Sequence, residues 1–191
     1  MIVAHDPGHG QPPAVIGCNS NGIVERDFVL KLAEDIAAGI DWPGLSQRLL
    51  RTSNDGPGCP DYHVRATKAL GSDLVICHHV NASSDGAHGL ITFYDDGDEL
   101  GKAVAIEVAR SAPPNLRRSI NGVFAAKPTD WTKAAHWVLE HYRCLGIPAC
   151  LIEWGFSTNA DDARFLLDPA ARPALIATVA AGLARAMAVK P

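Results

Sequence analysis

The chain has 191 residues, 47% of them hydrophobic and 20% charged. That balance excludes intrinsic disorder, and the length suits one domain, spanning 1–191, that closes its own core. With a formal net charge of −4 and 17 basic residues scattered without a run, no nucleic-acid partner is expected.

Apolar strand-like runs alternate with segments of helical period. This predicts an α/β fold with a twisted, mostly parallel sheet of five to six strands, flanked by helices on both faces. The first strand is expected over Met1 to Ala4 and leads into His5-Asp6-Pro7-Gly8-His9-Gly10. A loop with Gly17 and Gly22 follows, then Glu25-Arg26-Asp27 at a helix start. Phe28, Val29, Leu32, Ile36 and Ile40 repeat at three- to four-residue spacing and give that helix one buried face. The second strand is predicted over Gln47 to Arg51. A helix from Pro60 to Leu70, carrying Arg65, precedes a third strand over Asp73 to His78, and a fourth follows over Gly89 to Tyr94. The acidic run Asp95-Asp96-Gly97-Asp98-Glu99 suits a helix N-terminus, and Leu100, Val104 and Val108 continue it. The stretch from Ala112 to Trp131, with Pro113-Pro114, Arg117-Arg118 and Asn121-Gly122, shows little regular pattern and is read as a loop flanking a cleft. A short sixth strand is expected at Trp137 to Leu139, with a helix from Thr132 to Tyr142 as the rival reading. The last strand runs from Ala149 to Glu153. Asp168-Pro169 then caps a final helix marked by Leu175, Val179, Leu183 and Met187. Its apolar part carries Arg185 and reads as a packed helix, so no membrane span is expected. No secretory signal is visible, which predicts a product made in the cytoplasm. Cys18, Cys59, Cys77, Cys144 and Cys150 contain no Cys-x-x-Cys pair; Cys77 and Cys150 are expected buried, and Cys18 and Cys59 could pair only in an oxidising compartment.

In open α/β sheets, function collects in loops beyond the carboxyl ends of strands. His9 follows the first strand, His79 closes the third, Glu153 closes the last, and Glu25 starts the helix that runs back from the same edge. The four are therefore expected to meet. Two imidazoles and one carboxylate are a known ligand set for a catalytic zinc with an open position for water, and a further glutamate can take a proton from that water. No local spacing links these residues, and taken singly each histidine is better read as a surface or core group. Asp6 or Asn81 is expected to orient the ligands. Strand alternation points His78, and similarly His5, away from the site. His88 is a candidate for the cleft wall.

Taken in order, these motifs resemble those of the zinc-dependent N-acetylmuramoyl-L-alanine amidases of the Amidase_3 family, over almost the whole chain. The matching segments are Asp6 to Gly10, Gly17 and Gly22 leading to Glu25-Arg26-Asp27, Arg51, Arg65, Ile76 to Ala82, and Pro148 to Asn159. The resemblance implies Zn²⁺ held by His9, Glu25 and His79, with Glu153 as the catalytic carboxylate. It implies hydrolysis of the amide between the lactyl group of N-acetylmuramate and L-alanine in bacterial peptidoglycan. Asn81, Arg51, Arg65 and Trp154 are candidate substrate contacts, although a structural ion pair is the better reading of each arginine. Trp154 stands where the family usually has a small residue. A monomeric, freestanding hydrolase of the phage or prophage endolysin kind is expected, reaching the wall after release. The alternatives are a zinc peptidase cutting within the stem peptide and a wall-binding relative without catalysis.

Overall fold

The computed structural model describes residues 1–10, 15–117 and 122–189. Its strands are β1 (Ile2–Pro7), β2 (Asn19–Ser20), β3 (Ile23–Val24), β4 (Ser46–Leu49), β5 (Leu74–Asn81), β6 (Ile91–Asp95), β7 (Val123–Ala126) and β8 (Ala149–Phe156). Its helices are α1 (Glu25–Gly39), α2 (Tyr62–Lys68), α3 (Glu99–Arg110), α4 (Lys133–Arg143), α5 (Ala160–Leu167) and α6 (Arg172–Val189). Six strands make one sheet in the order β4-β1-β5-β8-β6-β7, and β2 pairs with β3 in a separate ladder. β4, β1, β5 and β8 are parallel; β6 runs antiparallel to β8, and β7 is parallel to β6.

Side chains on successive strand residues go to opposite faces, and both faces here are covered. Val3, Leu74, Ile76, Cys150, Ile152 and Trp154 pack into one layer with α1, α3 and α6. Ala4, Val75, Cys77, Ala149 and Leu151 pack into the other with α2 and α4. This explains why β5 is buried from Leu74 to Val80 rather than alternating. Helix α6 belongs to the first layer: Leu175, Val179 and Leu183 are fully buried. A Cβ at Gly182 would come within 2.7 Å of Val108 Cγ2, so the missing side chain lets α6 approach α3 closely. By length and composition alone, 169–189 would also satisfy the requirement for a bilayer span; its buried face is used in this packing.

Two expectations need correction. Trp137 to Leu139 is not a strand but the middle of α4, whose buried Ala135, Val138, Leu139 and Tyr142 follow the helical period. The sixth strand is β7, inside the stretch read as irregular loop; a 3₁₀ turn at Pro114–Leu116, with Leu116 fully buried, precedes it. Arg118 and Asn121 lie outside the described residues.

His5 and His78 are core histidines, as their strand parity predicts, both 0% exposed. They form a chain of hydrogen bonds whose direction is fixed at one end. Gln47 Nε2 donates to the carbonyls of Ala37 and Ile40 at 3.0 and 2.6 Å, so its Oε1 must accept. His5 Nε2 then donates to Gln47 Oε1 at 2.9 Å, and His78 Nε2 donates to His5 Nδ1 at 3.0 Å. Trp154 Nε1 closes the chain by donating to His78 Nδ1 at 3.2 Å. Every buried nitrogen is satisfied only while both rings are neutral. Burial lowers the His5 pKa from 6.5 to about 4, against the raising effect of its bond to Gln47. The folded pKa is depressed, so the unfolded chain binds a proton that the folded one refuses as pH falls from 6.5 toward 4, and stability is lost in that window. The expected loss is about 3 kcal/mol. Urea unfolding of metal-free protein at pH 7 and pH 4.5 measures it. His5→Phe should flatten the pH slope even if it lowers stability at pH 7; an unchanged slope would place the acid-sensitive group elsewhere.

Candidate active site

The three residues expected to meet a metal do come together. His9, Glu25 and His79 each offer a ligand atom, and these atoms lie within 4.8 Å of one another. Glu25 Oε1 is 3.0 Å from His9 Nε2 and 3.0 Å from His79 Nδ1. The backbone places each one. His9 leaves β1 in the left-handed region, φ 64°, an uncommon conformation for a non-glycine residue that here turns its ring toward Glu25. Arg65 holds the turn by donating to the carbonyls of Pro7 and His9 at 2.7 and 2.9 Å. Glu25 is the first residue of α1 and is 3% exposed. The pairing of β5 with β8 shifts register between His79 and Asn81, a bulge that leaves the Val80 N–H free to donate to Glu25 Oε1 at 2.9 Å. Cys18 N–H donates to Oε2, also at 2.9 Å. Burial alone pushes the Glu25 carboxyl up, but bonds from His79 and His9 outweigh it and hold the group well below the usual carboxylate range.

Two glycines are required by close approach. A Cβ at Gly8 would fall 2.3 Å from His79 Cε1, and one at Gly17 would fall 2.3 Å from Glu25 Oε2. Gly8→Ala or Gly17→Ala should therefore disturb the cluster directly.

Glu153 stands beside it, paired in register with His79 across the β5–β8 ladder. Its Oε2 is buried and has no hydrogen-bond partner. Burial, then the charge of Glu25, raises its pKa well above the ordinary value. An unpartnered carboxylate is costly in a core. It is intelligible at the wall of a cleft of about 780 Å³, lined by His9, Glu25, His79, Asn81 and Glu153 together with Tyr62, Trp131, Lys133 and Trp137.

The structure corrects several smaller expectations. Trp154 does not reach the cleft: it is fully buried on the other face of β8, as its parity beside Glu153 requires. Arg51 and Arg65 are also fully buried, out of reach of a substrate. Arg65 pairs with Asp6 at 2.7 Å, while Arg51 donates to the carbonyls of Pro7, Gly8 and Arg26. Asp6 orients neither imidazole, because its two oxygens are taken by Arg65 and the Tyr142 hydroxyl. Asn81 lines the cleft but its Oδ1 accepts from Ala82 N–H, and His88 is exposed away from the cleft wall. All five cysteines are free thiols. Sequence reasoning missed Tyr62, whose hydroxyl accepts from His9 N–H at 3.3 Å, and also Trp131, Lys133 and Trp137. The two tryptophans sit six positions apart around the start of α4; Trp131 ends the stretch expected as a cleft-flanking loop and Trp137 opens the expected short strand, so nothing in the sequence shows that they share a cleft.

The family model for N-acetylmuramoyl-L-alanine amidase, Amidase_3, matches residues 3–185, and the chain belongs to that family. No curated protein sequence matches it significantly. Among solved structures it is similar to an N-acetylmuramoyl-L-alanine amidase from Clostridium difficile 630, at 23% identity and TM-score 0.80, covering 100% of this chain and 98% of that one. It is similar to the catalytic domain of the amidase CwlV from Bacillus (Paenibacillus) polymyxa, at 22% identity and TM-score 0.77, covering 99% of both chains. It is also similar to the catalytic domain of the CD27L endolysin targeting Clostridia difficile, at 15% identity and TM-score 0.72, covering 96% of both. At these identities the likenesses show a shared fold.

Proposed function

We propose that this chain is a zinc-dependent peptidoglycan amidase that hydrolyses the bond between the N-acetylmuramate lactyl group and L-alanine of the stem peptide. The observation that carries this reading is the buried, unpartnered Oε2 of Glu153 beside the His9–Glu25–His79 cluster in an open cleft. Two imidazole nitrogens and one carboxylate oxygen fit Zn²⁺. Their mutual approach also fits a shared cation: both histidines face the same Glu25 oxygen, which already accepts from Val80 N–H. Zinc held there would supply Lewis acidity toward the scissile carbonyl and lower the pKa of water.

The protein's own residues supply the rest. Glu153 takes a proton from the attacking water and returns it to the departing alanine nitrogen. Its burial raises its basicity for that task. The Cys18 and Val80 amides fix both oxygens of Glu25, so this carboxylate is held in place while the chemistry runs.

Mass analysis of digested peptidoglycan tests the reading. New lactyl carboxyl ends paired with free L-alanine amines are expected; cuts inside the stem peptide, or binding without new ends, would overturn it. Metal removal gives a second expected result. Chelation should abolish turnover and added Zn²⁺ should restore it, while His79→Ala should lose bound metal in elemental analysis. Activity that survives complete chelation would exclude the zinc-dependent reading.

A further inference from the structure

The cleft has two unlike ends. Across the sheet, His9 follows β1 and His79 lies on β5, with Glu25 of α1 between them, β8 carries Glu153, and β6 and β7 lie beyond it. On the β6–β7 side, Trp131 packs edge-on against Phe93 and Phe124, with ring centroids 5.6 and 4.9 Å away, and is 63% exposed. On the opposite side, Trp137 packs edge-on against Tyr62 at 5.0 Å and is 48% exposed; Tyr62 in turn accepts from His9 N–H. Both indoles line the same cleft. Large aromatic surface left open to water around a concave site marks a place for a ligand.

Resting on the amidase reading, we propose that the cleft binds its substrate in one direction, with the N-acetylmuramate ring on Trp137 and Tyr62 and the stem peptide on Trp131 and Lys133. The departing nitrogen must lie within reach of Glu153, which returns its proton. The amine half of the substrate therefore extends toward β6 and β7, and the acyl half toward His9. The sugar belongs to the acyl half, a few bonds from the carbonyl through its lactyl ether. A pyranose ring presents C–H groups on its flat face, and the negative face of an aromatic ring attracts them. The stem peptide belongs to the amine half and carries a free carboxylate one residue beyond the alanine. Lys133, in the first turn of α4, is the one lysine or arginine among the described lining residues of this cleft.

The test separates the two arms on a background whose turnover is cut by about a hundredfold or more. In Glu153→Gln protein, calorimetry would measure affinity for N-acetylmuramyl-L-alanine, which lacks the rest of the peptide, and for a lactyl tripeptide, which lacks the sugar. Adding Trp137→Ala should weaken the muramyl ligand about tenfold and leave the lactyl tripeptide unchanged. Adding Trp131→Ala should do the reverse. Lys133→Ala should weaken only the tripeptide, and less so in high salt. Both indoles are solvent-facing, so these variants should fold, and near-ultraviolet dichroism checks that they do. A reversed pattern, equal losses on both ligands, or no loss on either would overturn the orientation. The amidase reading is judged separately by wild-type digestion: lactyl–alanine cleavage with a flat ligand pattern sinks the orientation alone, whereas absence of that cleavage sinks both.

Discussion

Arg65→Ala should destabilise the fold by about 3–5 kcal/mol, the usual cost of removing one partner from a buried ion pair. Asp6 and Arg65 are both 0% exposed, and the 2.7 Å bond between them is one of several that Arg65 makes. Its Nε donates to the Pro60 carbonyl at 3.0 Å, and the same guanidinium reaches the carbonyls of Pro7 and His9. Loss of the side chain leaves a buried carboxylate with only the Tyr142 hydroxyl for company and releases the turn that aims His9. Metal retention should fall along with stability. Arg65→Lys should rescue little, because one ammonium cannot span the same acceptors. Urea midpoints and elemental analysis, measured together, decide the matter. A stability loss below about 1 kcal/mol would mean the pair contributes no more than a surface one.

Glu153→Gln should lower turnover by about a hundredfold or more while leaving fold and metal content intact. The substitution keeps the shape and replaces the carboxyl group at the cleft wall by an amide that cannot take up the proton. The pH profile should agree with this role. The Glu153 pKa is raised, first by burial and then by Glu25, so the base is lost by protonation as pH falls. A bound cation works in the opposite direction, and acid also releases metal because protons compete for its ligands. Activity should therefore decline below about pH 6. Rate and bound metal followed across the same pH range separate the two causes. Near-normal activity in Glu153→Gln would remove this residue from the mechanism.

Much of this architecture is legible in the sequence because it rests on period and parity. The alternation of apolar runs with helical spacing fixes the α/β class, and strand ends put His9, His79 and Glu153 at one edge of the sheet, while their roles come from the family resemblance. Strand parity, applied one residue further, places Trp154 in the core, whereas the family resemblance makes it a candidate substrate contact. Arg51 and Arg65 illustrate what stays hidden. Their guanidinium groups are satisfied mainly by main-chain carbonyls of Pro7, Gly8, His9 and Arg26, and no residue type announces a carbonyl partner. β7 was missed because four residues, Val123–Ala126, carry too little pattern to stand out. Trp137 to Leu139 misled for the same reason, since a short apolar run fits either period.

The one-directional chain of hydrogen bonds from Trp154 through His78 and His5 to Gln47 makes four positions behave as a single character. Each nitrogen donates only because the next atom accepts, so replacing one member strands its neighbours in the core. Effects of substitutions at 5, 47, 78 and 154 should thus be strongly epistatic, with double variants less harmful than the sum of their singles. A library randomised at all four together, sorted for folded protein, should yield sequences that keep the whole polar string or exchange it for an all-apolar filling of similar volume, and few mixtures of the two.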